Sequence, residues 1–181
     1  IKKAIDYFSN SAKYNFPESQ YNLGSIYYHG EFIEKNIKKA IYYYDLAARQ
    51  NFPNAQLALG FIYYNDFNEN QNFIQKGIYW LNLAAKNRCL KSYFFVGYIY
   101  HEGQYVKSDI HKAIHFYKEA SNFNSHYAKN NLGVIYKNGF GNEVEKNVFF
   151  AIEYFKEAIK LNDFIAPIFN LASLYFYEDP I

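Results

Sequence analysis

Methionine and threonine are absent from this chain, cysteine and tryptophan occur once each, and arginine is found only as Arg49 and Arg88. Each scarcity removes a class of function. With Cys89 alone, neither an intrachain disulfide nor a cysteine-based zinc site can form, so the expected setting is a reducing compartment, the cytoplasm. Two guanidinium groups and a formal net charge of +2 are little with which to read phosphates and base edges, so no nucleic acid is expected as a partner. No apolar run approaches the roughly 20 residues needed to cross a bilayer, and 94–100 is among the longest. No membrane insertion is expected, and nothing reads as a signal peptide. What is abundant is aromatic: 21 Tyr and 18 Phe, beside much Asn, Lys and Ile. That mixture is expected of an AT-rich gene, so rings as such do not mark a surface; their spacing must.

The spacing is regular. Leu23-Gly24 with Tyr27, Leu59-Gly60 with Tyr63, Val96-Gly97 with Tyr100, Leu132-Gly133 with Tyr136 and Leu171-Ala172 with Tyr175 are five copies of one motif. The small residues are 36, 37, 36 and 39 positions apart, a period that belongs to stacked supersecondary units. Around the first four copies, apolar or small residues fall at offsets 0, 4, 5, 7 and 8, as in Ser19 to Tyr27, which a 3.6-residue period gathers on one helical face. This is helix A. A recurring Gly in a helix interior costs about 1 kcal/mol against Ala, so it predicts close approach of a neighbouring helix.

A second stripe follows: Ala40-Ile41-x-Tyr43-Tyr44-x-x-Ala47-Ala48, with counterparts from Gly77, Ala113 and Ala151 and an opening copy from Ala4. Two large rings lie between small residues at each end, the alternation that an interdigitating stack requires. This is helix B. Asn15, Asn51, Asn124 and Asn162 stand eleven residues after the start of the stripe, where the left-handed conformation that ends a helix is needed. Pro17 and Pro53 then suit the first turn of the next helix A. After helix A, Gly30, Gly103 and Gly139 are the expected terminators, and Asn36, Asp109 and Asn147 the expected N-caps of helix B. The second repeat instead has Asn65-Asp66 and a polar stretch to Asn72, expected to be the loosest connection.

These motifs, Ala-x-x-x-Leu-Gly-x-x-Tyr followed by Lys-Ala and paired rings, resemble the Sel1-like repeat, a relative of the tetratricopeptide repeat. From the helix A Gly to the helix B small residue the chain takes 16, 17, 16 and 18 steps, against about 12 in the tetratricopeptide pattern with its 34-residue period. The resemblance implies an all-α fold, a right-handed α-solenoid of stacked antiparallel helix pairs with about ten helices. The expected organisation is a single array over 1–181: a truncated repeat at 1–16, full repeats at 17–52, 53–89, 90–125 and 126–163, and a truncated one at 164–181. Because it starts and stops mid-repeat, the chain is expected to be a segment of a longer protein, with further repeats or a kinase domain in the same polypeptide. The cysteine-rich secreted branch, with two Cys per repeat, does not fit a chain with one.

The resemblance also implies a scaffold or adaptor that binds a protein or peptide. In this superfamily helix A lines the concave wall, with the residues one and four places after its small residue facing the groove. These are Ser25 and Tyr28, Phe61 and Tyr64, Tyr98 and His101, Val134 and Lys137, a largely aromatic ridge of the kind that supplies binding hot spots. The alternative is a regulatory or docking segment of a larger signalling enzyme such as a protist kinase. The chain itself has no Gly-rich phosphate loop, no His-Arg-Asp and no Asp-Phe-Gly, so no catalytic residue, metal or cofactor is assigned. His111 and His115, four apart, want a third ligand and read as a solvated face. Cys89 reads as a structural thiol, and Glu153 and Glu157, with Lys156 and Lys160, as a charged outer face.

Overall fold

The computed structural model describes residues 2–66, 70–161 and 165–178. Among them are ten α-helices and no strand beyond an isolated bridge between Phe140 and Val144. The B-type helices are α1 (Lys2–Lys13), α3 (Ile37–Arg49), α5 (Gln71–Lys86), α7 (Ile110–Asn122) and α9 (Val148–Leu161). The A-type helices are α2 (Pro17–His29), α4 (Pro53–Phe61), α6 (Leu90–Glu102), α8 (His126–Asn138) and α10 (Ile165–Glu178). They fall into two compact units, one ending at Ser92 and one beginning at Tyr93.

Each helix pair is joined by the same socket. In the first unit, a Cβ on Gly24 would lie 2.6 Å from the Tyr44 ring, and one on Gly60 would lie 2.6 Å from Leu81. In the second, Gly97 faces Tyr117 at 2.8 Å and Gly133 faces Phe155 at 2.5 Å on the same measure. The missing methyl is therefore the space into which the second bulky residue of helix B fits. Tyr117 and Phe155 are fully buried, worth about 1.5–3 kcal/mol for a side chain of the size of Phe. The small residues at the ends of the B stripe, Ala40, Ala47, Ala113, Ala120, Ala151 and Ala158, are buried completely as well.

The motif tyrosine has its own place. Tyr27 stacks on Tyr43 with centroids 5.7 Å apart, Tyr100 on Phe116 at 6.2 Å and Tyr136 on Tyr154 at 5.8 Å. The lysine preceding the helix B small residue covers the ring: Lys39 Nζ is 5.0 Å from the Tyr27 centroid and Lys112 Nζ is 5.1 Å from that of Tyr100. Cation over ring, with the lysine stem along the apolar surface, gives the Lys-Ala of the motif a physical reason. In the last full repeat Phe150 takes the lysine's position, 5.4 Å from Tyr136.

The helix ends follow the expected chemistry with one exception. Asn15, Asn51 and Asn124 have φ of 64°, 60° and 60°, and the following N–H of Phe52 and Ser125 reaches back to Ala47 O and Ala120 O at 3.2 and 3.1 Å. In the third repeat Arg88 takes that conformation, with φ of 62°, and Cys89 N–H donates to Ala84 O at 2.9 Å. The sequence names no residue there because Arg carries no preference for the left-handed region. Asn162 lies outside the described residues. Pro17 and Pro53 open α2 and α4. Asn36, Asp109 and Asn147 accept from the N–H groups of Lys39, Lys112 and Phe150 at 2.9, 2.9 and 3.0 Å. Their own N–H groups donate to the carbonyls of Tyr27, Tyr100 and Tyr136, so the motif tyrosine holds both ends of the connection.

The second repeat departs in a way the sequence does not announce. Its helix A runs into a π-helical turn, Ile62–Asp66, which absorbs the one extra residue of this repeat in place of a Gly terminator. The turn brings backbone against α5: a Cβ on Gly77 would lie 2.7 Å from Tyr64 N and 2.9 Å from Gly60 O. Glycine where the other repeats have alanine is thus required by the bulge. Of the polar stretch that follows, residues 67–69 lie outside the described residues.

Candidate partner-binding surface

In the first unit the A helices α2 and α4 face each other across a cleft of about 190 Å³, whose walls include Ser25, Tyr28 and Phe61. Three of the four groove positions expected in this unit therefore share one cleft; Tyr64 belongs to the π-helical turn. Tyr28 O–H donates to the Asp66 carboxylate at 3.1 Å, and Lys35 Nζ stands 5.0 Å from its ring centroid. Partial burial, then the Asp66 hydrogen bond and charge, raise the Tyr28 phenol pKa. Deeper in the cleft, burial pushes Tyr44 well above the ordinary phenol value, partly offset by a hydrogen bond from Ser25. Both phenols are neutral at physiological pH, and no Asp, Glu, Lys or Arg lines the cleft.

In the second unit the four positions divide. Tyr98 is 41 % exposed on α6 beside Phe94, with ring centroids 6.5 Å apart. His101 is half-buried: its Nδ1 is 3.4 Å from the Tyr117 hydroxyl, and its ring stands edge-on to Tyr117 and Phe140. Desolvation lowers its pKa, against a smaller opposing effect of Glu102. Val134 packs on the cluster of Ala151, Phe155 and Leu174, and Lys137 Nζ donates to Ser173 Oγ at 3.2 Å. These two tie α8 to the helices beside it, and Asn170 adds a bond to Asn130 at 3.0 Å.

Two polar devices were not anticipated from the sequence. Gln20 and Gln56, both fully buried, follow the first small residue of helix A. Gln56 Nε2 donates to Ala48 O at 3.0 Å and its Oε1 accepts from Asn87 at 2.9 Å; Gln20 likewise bonds Ala12 O and accepts from Gln50 at 2.7 Å. The recurrence of Ser19-Gln20 as Ala55-Gln56 was the available signal. In the last full repeat the same position is Lys129, 8 % exposed, which pairs with Glu157 of α9. Glu157 is thus not simply part of a charged outer face: it compensates a cation that the socket buries.

The model of the Sel1 repeat matches residues 17–52, 53–88, 90–122 and 126–163. The chain belongs to the Sel1 repeat family. A Sel1 repeat protein from Oxalobacter formigenes is 27 % identical, with a TM-score of 0.82 over 98 % of this chain and 71 % of that one. The protective antigen c5321 of uropathogenic Escherichia coli, described as displaying an SLR fold, is 22 % identical with a TM-score of 0.85, over 94 % of this chain. This chain spans only 36 % of that antigen, and the likeness is one of fold. Helicobacter pylori cysteine rich protein B is 31 % identical, with a TM-score of 0.54, over 76 % of this chain and 96 % of its own. A comparison with curated proteins finds no match.

Sel1 repeat proteins generally act as protein–protein interaction scaffolds, and the fold is typically non-enzymatic. The remaining chemistry-bearing side chains of this Sel1 chain have structural surroundings. His111 pairs with Glu143 at 3.7 Å, both exposed, and among the described residues no His, Cys, Asp and Glu cluster could hold a metal. Cys89 is buried as a free thiol, and its carbonyl accepts from Ser92 Oγ at 2.6 Å. Among the described residues no helix is long and apolar enough to cross a membrane.

Proposed function

We propose that this Sel1 array is a scaffold that binds a partner protein or peptide along the helix A faces, through Ser25, Tyr28, Phe61 and Tyr64 in the first unit and Tyr98, His101, Val134 and Lys137 in the second. The observation that supports the reading is the ring-walled cleft between α2 and α4, which no Asp, Glu, Lys or Arg lines. Buried rings anchor partners at little entropic cost, and uncharged walls desolvate readily. Val134 and Lys137 also pack α8 against its neighbouring helices, so the contacts probed are those of Tyr28 in the first unit and Tyr98 in the second. The test is selection of a displayed random-peptide library on the immobilised chain, with the selected peptides titrated onto a Tyr28→Ala/Tyr98→Ala double variant. Loss of binding with an unchanged helical circular dichroism spectrum is the expected result; undiminished binding would overturn the site.

A further inference from the structure

A larger groove of the first unit lies between the B helices α3 and α5. At about 620 Å³ it falls inside the range of roughly 300–1,000 Å³ typical of ligand sites. Ala48 and Leu83 are its aliphatic walls, Tyr79 and Trp80 its rings, and Arg49 and Asn51 its polar residues. The lining is rich in donors that the protein itself does not use. Trp80 is 7 % exposed, and its Nε1 is buried with no hydrogen-bond partner. Arg49 donates to Asp45 through Nε, which leaves both of its NH2 groups without a protein acceptor among the described residues. The Tyr79 hydroxyl and the Asn51 amide are uncommitted there as well. An occupant must bring acceptors.

Charge narrows the chemistry. Lys86 lies three positions beyond Leu83, on the same face of α5, and is exposed. Arg49 and Lys86 stand in the last turns of α3 and α5, where cations complement the carbonyl end of a helix. That role accounts for their charge, but not for a buried indole N–H left without an acceptor in the wall of an open groove, a rarity in native proteins. With Asp45 set against the two cations, one net positive charge remains beside the groove. A single carboxylate matches it, whereas a phosphate dianion exceeds it and meets the Asp45 carboxylate as a like charge. Tyr79 is exposed and stands edge-on to Trp80, with ring centroids 5.3 Å apart. Together with Leu83 it offers a surface on which a ring next to that carboxylate can pack.

We propose that the α3–α5 groove binds an acidic segment of a partner protein, seating one side-chain carboxylate against Arg49 and an adjacent aromatic side chain over Tyr79 and Leu83. The site is independent of the helix A surface and shares with it only that the partner is a protein. Trp80 is the one tryptophan of the chain, so its emission and its indole N–H resonance report on this groove alone. The probe is an end-blocked hexapeptide, Gly-Ser-Phe-Glu-Ser-Gly, titrated into the full 181-residue chain. A saturable shift of both signals is expected, weakened roughly tenfold when the peptide's Glu becomes Gln or its Phe becomes Gly, and by a similar factor in the Arg49→Gln variant. Lys86→Gln weakens it by a smaller factor, and the Tyr28→Ala/Tyr98→Ala variant binds as the parent does. Absence of a saturable shift, equal binding of the Gln peptide, or undiminished binding to Arg49→Gln overturns the proposal while the helix A reading stands. Tighter binding of phenyl phosphate than of the peptide overturns the carboxylate assignment. Loss of the titration in a folded Tyr28→Ala/Tyr98→Ala variant moves the peptide to the helix A surface and overturns the groove.

Discussion

Phe155 sits directly over Gly133: a methyl on that glycine would lie 2.5 Å from Cε1 of the ring. No ordinary Cβ contact is so close, and the ring is fully buried, so neither partner has anywhere to move. The recurring glycine is thus half of a packing joint, and its cost to helix propensity is set against the burial of the ring it admits.

Gly133→Ala is expected to destabilise the chain by about 1–2 kcal/mol, the overpacking penalty of about 1–3 kcal/mol less the helix-propensity gain of up to about 1 kcal/mol. Gly133→Ala/Phe155→Leu is expected to recover part of it, because the smaller side chain leaves room for the methyl. Urea titration followed by circular dichroism measures both; stabilisation by the single substitution would contradict the joint.

Arg88 holds a left-handed backbone at φ 62°, where a non-Gly residue costs about 1–2 kcal/mol. Arg88→Gly should raise stability by about 0.5–1 kcal/mol, Arg88→Asn by less, and Asn51→Ala should lower it by a comparable amount. Thermal midpoints rank the three.

Gln56 is fully buried and bonds both Ala48 O and the Asn87 amide. Gln56→Leu keeps the volume but removes the partner of the Asn87 amide and one of the donors to Ala48 O, which still accepts from Asn51 N–H at 3.0 Å, for an expected loss of about 1 kcal/mol. Glu18→Gln, on the exposed part of α2, serves as the matched control and should change little.

Glu157 compensates Lys129, whose side chain is 10 % exposed. Glu157→Ala should therefore destabilise by about 1–3 kcal/mol, whereas Lys129→Met, which removes the buried charge, should lie within about 1 kcal/mol of the parent. Equal losses for the two would show that the pair contributes through contact alone.

His101 is held neutral by desolvation, its pKa lowered from the ordinary 6.5. The unfolded chain takes up the proton first, so the neutral ring's contribution is complete above pH 6.5 and is lost as pH falls from there through the folded pKa. His101→Gln should lose this component of the acid dependence. Denaturant midpoints of parent and variant from pH 7.5 downward check the sign, and parallel curves would exclude it.

Much of this architecture was legible because it is local and periodic. Small residues at fixed offsets from rings place both helices of every repeat, and Asn36, Asp109 and Asn147 declare their capping roles by position. What was not legible involves groups whose meaning depends on what stands opposite. Nothing in Arg88 announces a left-handed turn; the chain closes there because Cys89 must reach Ala84. Nothing around Gly77 in the sequence says why it replaces alanine; the reason is the π-helical turn, which brings Tyr64 N within 2.7 Å of where a Cβ would stand. Among the expected groove residues, spacing gave Val134 and Tyr98 equivalent standing. Contacts then bound Val134 to Phe155 and Leu174, whereas Tyr98 is 41 % exposed.

The amino-acid sequence by itself determined that this is an all-α repeat protein, where its helices start and stop apart from the π-helical turn and the Arg88 end, and which face of each packs inward, because propensity, capping and a 3.6-residue period act over a few neighbouring residues. Only the tertiary structure decided that the α2–α4 cleft exists, that Tyr28 is tied to Asp66 and that Glu157 answers Lys129. Those features join residues 28 to 38 positions apart, and their energies depend on distance and desolvation, which no local pattern encodes.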